Sequence, residues 1–366
     1  MSLPKHFGAW SAYFGVDLSS YPSPSFFYEV QPPLGVEPRY KPLMSFYSGS
    51  ARCLELWWDG ELVRIILACE TPAAVQPLRQ AYPGAAFLDV QPPSWTELQG
   101  GKNHGFTFDV ELSHSLPWVW TAPGQEGLLI DRVISALSGG YPPAWVQFAW
   151  MRWDWTWLAE EAAIRWQSHV EQVEAGEVRV DEEALAESFA RSMMGHIVSP
   201  VPRLKRERSV NAAGTVYQLG AKIAQMYREK AHSTPLILHI RGAVAAELPG
   251  DVKLLADALA SAFESVDFQL DALMVIVYHD RRALEWMERR ALPDPTPFLE
   301  LHAQGGFLCD WGEGRELVPT LCVTPQELPA FIHLPADPSL PVRYTRAAGV
   351  PFAFQPPEEE GLELWR

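Results

Sequence analysis

The sequence predicts an α+β fold: two split β-α-β units of the ferredoxin-like kind with a helical insertion between them. Three observations predict it. Short alternating or β-branched runs recur in pairs around helix-period segments; one stretch near the middle of the chain is almost wholly helical in period; and a second β-α-β order then repeats the theme of the first. A chain of 366 residues with 48% hydrophobic content is long enough to give each unit its own core.

Residues 1–49, with P-S-P-S-F-F-Y-E-V-Q-P-P, read as an irregular arm rich in Pro, Ser and aromatics. The first unit is expected over 50–153. A-R-C-L-E-L-W-W, then Asp59-Gly60, then E-L-V-R-I-I-L-A-C is a β-hairpin, with the Asp-Gly pair supplying a tight primed turn. T-P-A-A-V-Q-P-L-R-Q-A-Y follows as a helix, with Thr71 at its N-cap and Pro72 at its first position, where a missing N–H costs nothing. A-A-F-L-D-V and G-F-T-F-D-V-E-L are strands, L-L-I-D-R-V-I-S-A-L-S-G is a helix stopped at Gly139, and A-W-V-Q-F-A-W-M is a strand.

From 154 to 232 the text turns to long polar-apolar helices, broken by the basic connector P-R-L-K-R-E-R. The second unit, 233–345, begins with T-P-L-I-L-H-I-R-G-A-V-A-A-E, continues through the helix D-V-K-L-L-A-D-A-L-A-S-A-F and returns in A-L-M-V-I-V-Y. The remainder, 346–366, is acidic with an apolar ending that includes Trp365, the composition of a docking peptide.

Composition narrows the function. A formal net charge of −16 argues against a generally basic nucleic-acid binder, so any DNA contact would be local; Arg203, Lys205, Arg206 and Arg208 of the connector read either as a solvated loop or as a contact for phosphate or an acidic partner. Cys53, Cys69, Cys309 and Cys322 form no C-x-x-C pair and read as buried thiols of a reducing compartment. No apolar run is long enough to span a membrane, and a cytoplasmic chain is expected. Fifteen tryptophans fall mostly inside apolar segments, where large aromatics serve as core.

Catalytic patterns are scarce. G-G-K-N at 100–103 has Thr96 where a phosphate-binding loop needs glycine, and Asn103 in place of the magnesium-binding Ser or Thr. H-E-x-x-H and G-x-S-x-G do not occur. His239 and His279 read as structural, and His104 and His114 flank one strand without making a metal site. In an extended D-W-T-W, Trp153, Trp155 and Trp157 share a face, read as a packed strand end in preference to a glycan platform. No cofactor, metal or catalytic residue is expected. An enzyme with an unrecognised carboxylate or histidine site, such as a glycan hydrolase or nuclease, and a structural subunit of a phage-like or secretion assembly are the alternatives.

The stretch C-V-T-P-Q-E-L-P-A-F-I-H-L-P, 322–335, is ordinary helix grammar: Thr324 and Glu327 form a capping box around Pro325, Leu328, Phe331 and Ile332 anchor the turn, His333 sits near its end, and Pro335 stops it. With P-L-I-L-H-I-R-G-A at 235–243, T-P-Q-E-L at 324–328 and H-L-P at 333–335, the order of elements resembles the region preceding the motor domain in conjugation-type, HerA/FtsK-related translocation ATPases of type IV secretion systems. Where that family continues into a Gly-Lys-Ser/Thr loop, this sequence reads P-F-A-F-Q-P-P-E-E-E. The resemblance implies a non-catalytic adaptor in an oligomeric assembly with a separately encoded ring ATPase, serving DNA transfer, mobile-element maintenance or defence. Thr324, Glu327, Phe331, His333, Pro335 and Trp365 are then its partner contacts.

Overall fold

The computed structural model describes residues 24–49, 52–92, 94–96, 104–112, 129–140, 142–174, 212–264, 273–278, 281–292 and 321–345. In chain order the elements are β1 (Phe26–Gln31), α1 (Tyr40–Tyr47), β2 (Arg52–Trp58), β3 (Val63–Cys69), α2 (Gln76–Ala81), β4 (Ala86–Asp89), β5 (His104–Leu112), α3 (Leu129–Leu137) and β6 (Ala144–Arg152). They continue with α4 (Thr156–Glu174), α5 (Ala212–Ala231), β7 (Leu236–Ala246), α6 (Pro249–Glu264), β8 (Leu273–Tyr278), α7 (Arg281–Glu288) and β9 (Leu321–Val323).

The nine strands form one sheet in the order β4-β1-β3-β2-β6-β7-β5-β8, with β9 beside the first residues of β7. Every neighbouring pair is antiparallel. The fold is therefore α+β. Its order is mirrored about the β2–β6 seam: β1 to β4 and β5 to β8 are each a run in which strands joined by a helix lie on either side of a third strand. Thus β1 and β2 flank β3, β3 and β4 flank β1, β5 and β6 flank β7, and β7 and β8 flank β5. The seam itself is a full ladder from Arg52↔Trp150 to Trp58↔Ala144.

This moves the expected boundaries. The arm assigned to 1–49 contains β1 and α1 in its described part, because Pro24 and Pro32 end an alternating F-F-Y-E-V-Q run without interrupting it. The unit expected at 50–153 ends in β5, α3 and β6, which belong with β7 and β8 of the unit expected at 233–345. The helical insertion is present as α4 and α5, between β6 and β7. The β2–β3 hairpin also forms, but over four residues, Asp59 to Leu62: Asp59 Oδ1 accepts from the N–H groups of Glu61 and Leu62, and Gly60 takes φ +109°.

Period-two alternation sets the two layers. Leu54, Leu56, Trp58, Val146, Phe148, Trp150, Leu238 and Ile240 point into the larger core, shared with α1, α2, α3 and α6. Cys53, Glu55, Trp57, Trp145, Gln147 and Ala149 point to the opposite face, which α7 and the residues after it cover near the seam. Beside them Trp155, Leu158, Ala162 and Trp166 of the α4 region pack with Tyr227 of α5 onto Ile237 and Cys322. Covered on both sides, all eleven residues of β7 are buried.

Candidate functional site

The segment 321–345 is a strap that crosses from the second run to the first. It starts as β9 on β7, turns at Thr324, makes a 3₁₀ turn over Leu328–Ala330 and then runs across the larger core. Tyr47 Oη–H donates to the Ile332 carbonyl, Leu334 N–H to Tyr82 Oη at 3.3 Å, and Val63 N–H to the Pro341 carbonyl at 2.8 Å. At its far end Thr345 donates from N–H to Pro32 O (2.8 Å) and from Oγ1 to Gly84 O (2.7 Å).

Half of the expected capping box forms: Glu327 Oε2 accepts from Thr324 N–H at 2.8 Å, but Thr324 Oγ1–H donates to that same oxygen at 3.0 Å and the Glu327 N–H goes to the Thr324 carbonyl. What the sequence does not announce is Lys230, at the end of α5, whose Nζ lies 3.0 Å from Glu327 Oε2 and 5.9 Å from the Trp155 ring. Burial lowers the Lys230 pKa, and the Glu327 carboxylate opposes that shift.

Phe331 is fully buried, and Thr324, His333 and Pro335 are buried too, while Glu327 is half-buried and turned to Lys230. Thr324, Phe331, His333 and Pro335, expected to face a partner, are turned into this chain's own core by the apolar positions that anchor the turn, while residues 336–339 of the strap stay exposed. Trp365, Arg203, Lys205, Arg206 and Arg208 lie outside the described residues, as do His114, His279, Cys309 and the G-G-K-N stretch.

His333 meets Asp131 of α3, with Nε2 3.4 Å from Oδ1. Both ring nitrogens and that oxygen are buried and make no hydrogen bond among the described residues. Tyr82 borders the pair; burial and, more weakly, Asp131 raise its phenol to about 12 against the opposing bond from Leu334 N–H.

A second polar cluster sits on the opposite face at the seam. Glu55, fully buried, accepts from Trp57 Nε1 (2.9 Å), Gln147 Nε2 (2.9 Å) and Arg290 Nε (2.7 Å). Gln147 Nε2 also donates to Met287 O at 2.8 Å, and its Oε1 accepts from Arg241 Nε at 2.8 Å. Arg290 lies over the Phe27 and Trp145 rings, and Trp57 stacks on Trp145 at 4.3 Å. Fully buried and with both oxygens bonded, Glu55 ties β2, β6 and the α7 segment together. The signal in the sequence was the alternate set Cys53, Glu55, Trp57: a face carrying Cys and Trp beside its Glu is not a solvated one.

No family model, curated protein or solved structure matches the chain.

Of the remaining candidates, D-W-T-W is not extended. Asp154 Oδ1 accepts from Thr156 N–H (3.1 Å) and Oγ1–H (2.6 Å), which starts α4, and these bonds lower the Asp154 pKa. Trp155 then turns inward, donating to Leu236 O at 2.7 Å, while Trp157 turns outward. His239 is fully buried on β7; burial and then Arg241 hold its pKa well below the usual range. Cys53, Cys69 and Cys322 are buried thiols. Among the described residues no three His, Cys, Asp or Glu side chains gather as a metal site, and no helix is long and apolar enough to cross a membrane.

Proposed function

We propose that the chain is a non-catalytic accessory subunit: two ferredoxin-like units joined edge to edge form a platform, and the helical pair α4–α5 meets a separately encoded HerA/FtsK-like DNA-translocating ATPase. The observation that carries this reading is the insertion itself. β6 and β7 pair along nine residues, from Ala144↔Val244 to Arg152↔Leu236, and a turn of a few residues would join them, as four join β2 to β3. Instead a 19-residue and a 20-residue helix stand there, packed on each other and on Ile237 and Cys322. Long insertions on a rigid scaffold are where proteins place recognition. The choice of partner rests on the resemblance in element order, and the burial of 324–335 moves the contact from that segment to the inserted helices.

Affinity purification from the native host in nucleotide-containing buffer, with mass spectrometry of the bound fraction, tests it. A ring ATPase is the expected companion. Recovery of this chain alone, under conditions that preserve other complexes, overturns the reading.

The Asp131–His333 pair favours a second reading, an enzyme with a histidine-carboxylate site. Its test is turnover of nuclease and glycosidase substrates by the wild type, lost in His333→Ala while the melting curve is kept. Absence of turnover in the wild type removes it for those substrates.

A further inference from the structure

α4 has two unlike faces. Leu158, Ala159, Ala162, Ala163 and Trp166 are buried against α5 and the sheet, and Val170 is buried too. On the opposite side Trp157 and Ile164, seven residues apart and so one above the other, are 40% and 66% exposed. Exposed Glu160 and Glu171 and half-buried Glu161 flank them; of the cations nearby, Arg165 is engaged by Glu161 one turn earlier and Arg228 of α5 reaches Gln167 at 3.5 Å. An apolar i, i+7 pair inside an acidic border is the pattern of a helix read by a groove.

We propose that this face of α4 is a docking surface for a protein that presents an apolar groove bordered by Lys and Arg. Charge complementarity selects the occupant. A second copy of this chain would bring its own acidic stripe against this one, at a net charge of −16 per copy, whereas a basic rim neutralises Glu160 and Glu171 while Trp157 and Ile164 fill the groove. The inference names the contact of the accessory subunit and rests on that reading for its biological partner, not for its chemistry.

Site-specific photo-crosslinking in the native host tests it, with p-benzoylphenylalanine at Ile164 or Ser168, both exposed on this face, and at exposed Leu88 of β4 as the control. The expected result is an adduct from 164 and 168 but not from 88, mapping to a Lys/Arg-rich segment of another protein. The Glu160→Lys/Glu171→Lys variant lowers its yield severalfold without changing the melting temperature. An adduct to a basic protein that is not an ATPase supports this surface and sinks the ATPase reading. An ATPase that co-purifies with no adduct from 164 or 168 does the reverse. Adducts to a second copy, or to this chain's own residues 175–211, overturn the inference, as does an adduct yield indifferent to the charge reversal.

Discussion

Arg290 grips Glu55 with two hydrogen bonds, 2.7 Å from Nε and 3.1 Å from Nη2, across a separation of 235 residues. Both side chains are buried, so breaking the pair from one side strands a charge. Glu55→Gln should cost about 3–5 kcal/mol, read as a lower urea midpoint at unchanged slope. Glu55→Leu combined with Arg290→Met should recover part of that loss, since neither member of the pair is left charged and alone, while Trp57 Nε1 still loses its acceptor. A double variant as unstable as the single one would show that the pair is worth more than its desolvation.

Lys230 and Glu327 should not be equivalent under mutation. Glu327→Ala leaves the Lys230 ammonium, whose side chain is 2% exposed, without its anion and removes the acceptor of Thr324 N–H. Lys230→Met keeps both Thr324 bonds to a carboxylate that is 12% exposed and can reach water. The first variant is therefore expected to melt at the lower temperature and to be cut sooner by protease within the strap. Equal melting temperatures would mean that the strap is not held from this end.

Gly60 isolates a backbone effect. A Cβ added there meets nothing within 4 Å, yet φ is +109°. Gly60→Val should thus destabilise by about 1–3 kcal/mol through strain alone. Thermal unfolding of the variant checks it, and a neutral result would place the β2–β3 turn in another conformation.

The pH profile should show a plateau. His239 is held neutral by burial and Arg241, so its folded pKa lies below the unfolded value near 6.5. Below that value the unfolded chain binds the extra proton and stability falls, by up to about 1.4 kcal/mol per pH unit from this group. On the alkaline side, burial raises the Cys53 and Cys322 thiols above their ordinary 9.0, the latter to about 12, so the unfolded chain loses those protons first and stability falls above about pH 9. Denaturant midpoints measured from acid to alkaline buffers, with His239→Leu flattening the acid limb, test the assignment.

Local features were legible in the sequence. The β2–β3 hairpin, α3, β6, β7, α6 and β8 follow from period and caps, and Thr324 with Glu327 from spacing three apart. β1 was hidden because its flanking prolines read as irregular chain, although a strand between prolines is still a strand. The shared sheet was not legible, since pairing of β2 with β6 and of β5 with β7 leaves no mark in either segment alone. Burial of Phe331, His333 and Pro335 was missed for a related reason. A turn anchored by apolar residues shows that it needs a core, and the core it covers is built from Tyr47, Tyr82 and Val63, far upstream. Arg290, the partner of Glu55, and Asp131, the partner of His333, are single charged residues whose roles depend wholly on where the chain returns.

The strap also sets a timetable. Its last hydrogen bonds close on Pro32 and Gly84 from Thr345, 313 and 261 residues later in synthesis. At ordinary elongation rates the first run waits on the order of tens of seconds after its own strands have been made before this cover arrives. During that interval the side of β3 that Pro341 and Val342 will line stands open on the nascent chain. Maturation of the N-terminal half is in this way tied to completion of residues 321–345, and a ribosome stalled before them would hold a half-covered sheet in the reach of chaperones.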